Sequence, residues 1–198
     1  MSLLKIKCLV LVLLCSSFVA AQVPDFANLP DGFYTDYVEV RGAKPGVNVS
    51  ELKNKSGVSL KSFYPEDEQY YTQRGDELHP VNYASFFGIV RNGVFYWIYN
   101  EEFYRLGMKG MLSHVVVIES HYTVSNGMNS PSNTSEQKSM VIDFNSGHSF
   151  AFEPEPFGMF LLENAPDLYE EFILIKKNRD KKRALFVFLR RYNNRFKK

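Results

Sequence analysis

Beyond position 21 the chain contains no cysteine, because its two cysteines, Cys8 and Cys15, both lie before that point. A fold built from the remainder has no disulfide to lean on, no thiolate nucleophile and no cysteine ligand for a structural metal. No later stretch approaches the ~20 apolar residues that a membrane-spanning helix needs. There is no Gly-x-Ser-x-Gly elbow and no phosphate-cradling glycine loop. Tryptophan is present once and histidine four times. These absences argue against a disulfide scaffold and a helical membrane protein, leave an enzyme possible without nominating its residues, and require a domain held by its core.

The first 21 residues carry a different pattern. Lys5 and Lys7 give a positive start, Leu9 to Leu14 a short apolar stretch, and Val19, Ala20 and Ala21 a small-residue end. That is the layout of a cleaved signal peptide, with the cut expected after Ala21. Residues 22–198 then form one domain, exported to the periplasm or the extracellular space. Cys15 follows an apolar stretch, as a lipid-carrying cysteine does, but Leu14 stands where lipoprotein signals place a small residue, so lipid anchoring there is disfavoured.

Net charge conceals an asymmetry. Residues 22–175 hold ten basic and twenty-one acidic side chains, whereas 176–198 hold eleven basic and one acidic. An acidic body is thus joined to a basic tail. At about 100° per residue, Leu185, Phe188, Leu189, Tyr192 and Phe196 form one stripe of a helix running from about Arg179 to Phe196. Arg179, Arg183, Arg190, Arg191 and Lys197 fall on the other side. They are the candidates for contact with an anionic surface. The stripe is expected to pack inward on a sheet and the basic side to face solvent, with Glu170 and Glu171 as internal counter-charges. Nucleic acid is not an expected partner for an exported chain.

From Phe33 to His121 short runs of Tyr, Phe and Val are broken by Gly, Asn and Pro, which predicts antiparallel sheet. Ser85 to Arg91 and Val94 to Tyr99 should pair across Asn92-Gly93, a dipeptide suited to positive φ at both turn centres. Phe103 to Leu106 and Leu112 to Tyr122 read as further strands, and another pair is expected near Val58 to Phe63. Residues 125–137 read as a polar loop. Lys138 to Phe144 and His148 to Phe152 form a second hairpin. Pro166 opens a helix with Leu168, Phe172 and Ile175 on one face. The predicted fold class is α+β: an antiparallel sheet, strongly curved or barrel-like, followed by two C-terminal α-helices that pack on it.

Aromatic residues are the compositional signal. Tyr96, Trp97, Tyr99 and Tyr104 crowd one hairpin and are candidate ligand-stacking residues for a sugar or peptide, although alternate residues of such a run also fill a core and its rim. His114 and His121 are seven apart, an odd spacing that sends them to opposite faces of a regular strand, and His79 and His148 have no ligand spacing around them. Glu66, Asp67, Glu68 and the Glu101-Glu102 pair read as solvated turns. No catalytic, cofactor-binding or metal-binding residue is nominated.

The segments LPDGFYTDYVEVRGAKP, RNGVFYWIYNEEFYRL, SMVIDFNSGHSFAF and NAPDLYEEFILIKKNRDKKRALFVFLRRYNNRFKK follow one another in an order that resembles a family of exported proteins of Bacteroidota-type bacteria. No activity or cofactor is assigned to that family, so the resemblance implies export and no chemistry. Asn164-Ala165 departs from the acidic residues the family places before Pro166. In a bacterial setting the Asn-x-Ser sequons at Asn48, Asn54 and Asn133 are chance. The expected function is a non-catalytic binding or interaction module of the cell envelope, with an unidentified envelope ligand or protein as partner. Two alternatives are a peripheral membrane protein that uses the basic helix, and a small barrel that holds an apolar ligand in its mouth.

Overall fold

A computed structural model describes residues 22–60, 69–123 and 132–197. Strands β1 (Gly32–Tyr34) and β2 (Val47–Asn48) flank a short helix α1 (Tyr37–Arg41), and β3 (Leu52–Lys53), β4 (Tyr71–Arg74) and β5 (Glu77–Pro80) form a separate three-stranded sheet. Then come β6 (Gly88–Arg91), β7 (Val94–Tyr99), β8 (Glu102–Met108), β9 (Leu112–Thr123), β10 (Ser132–Asp143) and β11 (Ser149–Ala151). The chain finishes with α2 (Pro154–Asn164), α3 (Pro166–Ile173) and α4 (Asn178–Asn194).

The main sheet has eight antiparallel strands in the order β11-β10-β9-β8-β7-β6-β1-β2. The Asn92-Gly93 hairpin forms as expected: Arg91 pairs with Val94, and both turn residues have positive φ, 51° and 70°. Asp31 fixes that turn to the distant start of the sheet by accepting from the backbone N–H groups of Asn92 and Gly93 at 2.8 and 3.1 Å.

Both faces of the sheet are buried around β1, β6 and β7. Phe33, Ile89 and Ile98 pack with Leu52, Tyr70 and Val81 beneath the small sheet. Their sequence neighbours Tyr34, Val90 and Trp97 belong to the main core on the other side. This double burial is why the strands read as continuous aromatic and apolar runs rather than clean alternation. β7 and β10 lie three places apart, ~14 Å in a flat sheet. Yet the rings of Phe95 in β7 and Phe144, just past the end of β10, sit 5.8 Å apart with Phe26 packed against both, so the sheet curls toward that face. It does not close. β11 and β2 remain edges, and the barrel geometry expected as one alternative is corrected to an open curved sheet.

Two further expectations change. There are three C-terminal helices, not two. α2 was hidden because Pro154, Pro156 and Gly158 read as breakers, although Pro154 occupies the first helical position, where a missing N–H costs nothing. Its apolar residues also surround it: Phe157, Phe160 and Leu161 are buried while Met159 and Leu162 are exposed, so no polar face marks it. The polar stretch 125–137 is not all loop. Residues Ser132 to Gln137 belong to β10 and pair in unbroken register with Thr123 to Ile118. Residues 124–131 lie outside the described residues, as do Phe63 and Glu66 to Glu68. Near Val58 the expected strand pair is reduced to a single bridge between Lys53 and Ser59.

The tail is part of the fold. Leu185, Phe188, Leu189 and Tyr192 of α4 are buried in the main core, and Phe196 packs half-buried against it. Asn193, only 7% exposed, presents its side chain to the backbone of Leu112: its Oδ1 accepts from the Leu112 N–H at 2.9 Å and its Nδ2 donates to the Leu112 carbonyl at 2.8 Å. Gly110 makes room for this clamp, since a Cβ there would lie 2.4 Å from Asn193 Nδ2.

Candidate functional site

A concavity lies where the β10–β11 turn meets α2. The turn is built by Asp143, a buried carboxylate that accepts from the Asn145 N–H at 2.9 Å and from the Ser146 hydroxyl at 2.7 Å. Gly147 supplies φ +78°. A Cβ at that position would lie 2.4 Å from the Tyr37 ring, so α1 holds the turn from behind. From the other side α2 brings Pro156, Met159, Phe160 and Glu163 over the strand. Phe150 of β11 and Phe160 of α2 stack at 5.3 Å and 27°.

The resulting cleft measures about 430 Å³. Phe150, Phe160, Met159 and Pro156 give it apolar walls, while Asn145, His148, Glu163 and Asn164 supply polar groups. A volume of that order with an apolar lining and a few convergent polar groups is the usual make-up of a small-ligand site. Tyr192 stands near the Asp143 carboxylate, and burial first, then that charge, pushes its hydroxyl up to about 12, so it remains a neutral phenol. Phe160 is itself buried and backs the half-exposed Phe150 ring, so a flat or apolar portion of a ligand meets Phe150 and the exposed Met159, with polar groups reaching Glu163 and His148.

Sequence reasoning missed this site because it joins a turn to a helix that the proline and glycine spacing concealed. One signal was present: Asn145-Ser146-Gly147 flanked by Asp143 and His148 is an unusually polar turn between two phenylalanine-bearing strands.

The aromatic hairpin is divided by the pleat. Trp97, Tyr99 and Tyr104 lie toward the main core, Trp97 stacking on Tyr99 at 4.9 Å and pairing across strands with Tyr104. Tyr96 points to the opposite face, against the second core and beneath the Arg91 guanidinium at 5.7 Å. Trp97 is only 5% exposed, which makes it a support for Tyr99 rather than a stacking surface. Tyr104 donates to Glu102 and to the Ile118 carbonyl, and burial reinforced by Glu102 pushes its hydroxyl up to about 12. Lys138 and Glu119 form an ion pair at 2.5 Å.

His79, His114 and His148 lie apart from one another. His114, 6% exposed, is held at 3.0 Å from the Ser139 hydroxyl between the rings of Phe152 and Phe186, and burial lowers its pKa. β9 runs in register with β10 from Leu112 to Thr123, with no bulge between positions 114 and 121 on that side. His79 lies in β5, 3.8 Å from Glu77, and His148 lines the cleft. Among the described residues no group of three His, Cys, Asp or Glu side chains is placed to hold a metal ion.

On α4 the candidate cations separate. Arg191 turns toward α3, donating to both Glu171 oxygens at 2.7 and 2.6 Å and lying over the Phe188 ring. Arg195, absent from the predicted basic face, pairs with Asp167, and Lys182 pairs with Glu153 at 2.8 Å. Arg179, Arg183, Arg190 and Lys197 are exposed. Arg179 and Arg183 reach only the edge of Asp180, at 3.8 and 3.9 Å.

Of the sequons, Asn54 is a turn-former whose Oδ1 accepts from the Ser56 and Val58 N–H groups, and Asn48 donates its side-chain amide to Glu51. No described helix is long and apolar enough to cross a membrane. No family model, curated protein or solved structure matches the chain.

Proposed function

We propose that this chain is an exported, non-catalytic binding module of the cell envelope whose ligand seats in the cleft between the β10–β11 turn and α2. The observation that carries the reading is the cleft itself: about 430 Å³, with the stacked Phe150 and Phe160 rings beside Glu163, His148 and Asn164. The signal-like first 21 residues and the resemblance to exported proteins support the location. The half-exposed Phe150 ring next to a carboxylate and an amide suits a glucosamine-containing oligosaccharide, which offers a flat apolar ring face, hydroxyls and an amine.

The test is a titration followed by NMR, with the Phe150 ring as reporter at the cleft and the Tyr99 and Tyr104 rings as reporters at the hairpin. The expected result is saturable perturbation at Phe150 by glucosamine oligosaccharides, weakened about ten-fold or more by Phe150→Ala and less by Glu163→Gln. Perturbation confined to Tyr99 and Tyr104 would move the site to the hairpin. Turnover of the oligosaccharide, abolished by one of these substitutions, would overturn the non-catalytic assignment.

A further inference from the structure

The α3–α4 corner combines an exposed apolar tip with a cluster of cations. Leu174, which ends α3, is 69% exposed, the highest value among the exposed large apolar side chains of the described residues, and Ile173 beside it is also exposed. Met159, Tyr169 and Ile173 line one shallow depression together with Lys181. Around this apolar tip, residues 173–183 carry six Lys or Arg and one acidic residue, Asp180. Glu155 also lines the depression, and Glu170 lies exposed one turn before Leu174.

The sorting of the charges is the informative part. Cations that face the body of the protein have carboxylate partners: Lys182 with Glu153, Arg191 with Glu171, Arg195 with Asp167. Lys176 and Lys177 at the corner are exposed, with no ion-pair partner among the described residues, and Arg179 and Arg183 share Asp180 at the limit of contact. An exposed Leu-Ile tip ringed by unneutralised cations is complementary to one kind of surface, an anionic bilayer. There the apolar tip enters the acyl boundary while the basic side chains reach the headgroups.

We propose that the α3–α4 corner, with Leu174 and Ile173 inserted and Lys176, Lys177, Arg179 and Arg183 around them, docks the protein on anionic phospholipid. This differs from a helix lying lengthwise on its basic side, because α4 commits its apolar stripe and Arg191 to the core. It does not depend on the cleft or its ligand.

The experiment is sedimentation of residues 22–198 with phosphatidylglycerol vesicles and with phosphatidylcholine vesicles. This span contains the whole of both described core clusters and omits the apolar N-terminal segment, which would bind lipid by itself. Binding is expected to phosphatidylglycerol only and to weaken as salt rises. It should fall several-fold in Leu174→Asn and about five-fold for each of Lys176→Gln and Lys177→Gln. Excess inorganic phosphate at constant ionic strength should leave it unchanged, since phosphate alone offers nothing to the apolar tip. All these positions are exposed, so thermal unfolding of the variants should match the parent. Failure to bind phosphatidylglycerol overturns the proposal, as does binding that Leu174→Asn leaves intact or that phosphate abolishes. Glucosamine oligosaccharide binding at Phe150, which lines the cleft and not the corner depression, reports separately on the cleft.

Discussion

Both sides of α4 carry cations, but in opposite situations. Its inner side carries Leu185, Leu189, Tyr192 and Asn193 into the core and satisfies Lys182, Arg191 and Arg195 with carboxylates of the preceding helices and the β11–α2 junction. Its outer side leaves Arg179, Arg183 and Arg190 in solvent. A count of positive charge in the tail cannot separate these. The difference is that a cation next to a partner from its own chain is part of the fold, and only the remainder is open to another molecule.

The sharpest way to break that contrast is to damage the inner side. Leu189→Ala should lower stability by about 2–5 kcal/mol, because a fully buried Leu leaves both lost transfer energy and a cavity. Asn193→Ala should cost roughly 2–4 kcal/mol, since the Leu112 N–H and C=O would lose their partner in a buried place. Denaturant unfolding checks both, and an effect under ~0.5 kcal/mol would return the tail to the status of an arm.

A pH experiment probes the same packing at its far end. His114 touches Phe186 of α4, and its pKa is lowered by burial, so the folded state holds the neutral imidazole while the unfolded chain titrates near pH 6.5. The unfolded state therefore binds more protons below that value. The His114 contribution is complete above about pH 6.5 and is lost as pH falls toward the folded pKa. His114→Gln should remove this component of the pH dependence, measured by unfolding midpoints from pH 7 to 5.

The ion pairs should prove the weakest part of the inner side. Arg191 holds the Glu171 carboxyl below the usual carboxylate range, first by its hydrogen bonds and then by its charge. The pair's contribution is present above the ordinary Glu pKa and is lost as pH falls through the lowered one. In Arg191→Gln the Glu171 titration, followed by carboxyl NMR, should move up to the ordinary range with hardly any change in thermal midpoint. Arg190→Gln on the outer side should change neither.

Much of this architecture is legible in the residues. The Asn92-Gly93 pair specified a hairpin by backbone conformation alone, and the Leu185 to Phe196 stripe specified which side of α4 is buried. What escaped depended on contacts between distant segments. The first half of β10 is polar on both faces and is a strand because β9 pairs with it, not because of its own pattern. α2 meets the sheet on one side and α3 on another, while exposed Met159 and Leu162 leave it no clean polar face to read. The cleft inherited that blindness, as it lies between α2 and a turn. In the aromatic hairpin, strand parity alone sets Tyr96 apart from Trp97 and Tyr99, but only the tertiary structure shows that Trp97 is sealed. Arg191 illustrates the limit of angular reasoning, since its long side chain reaches Glu171 from a position the wheel assigns to the outside.

Native-state amide hydrogen exchange along α4 tests most directly whether the tail completes the domain. If Leu185, Phe188, Leu189 and Tyr192 complete the core, their amides exchange only through global unfolding, with protection equal to that of the slowest amides of β7 and β9. Exchange of these four amides at rates well above those of β7 and β9 would mean that the tail opens on its own and that its basic residues act as a detached arm.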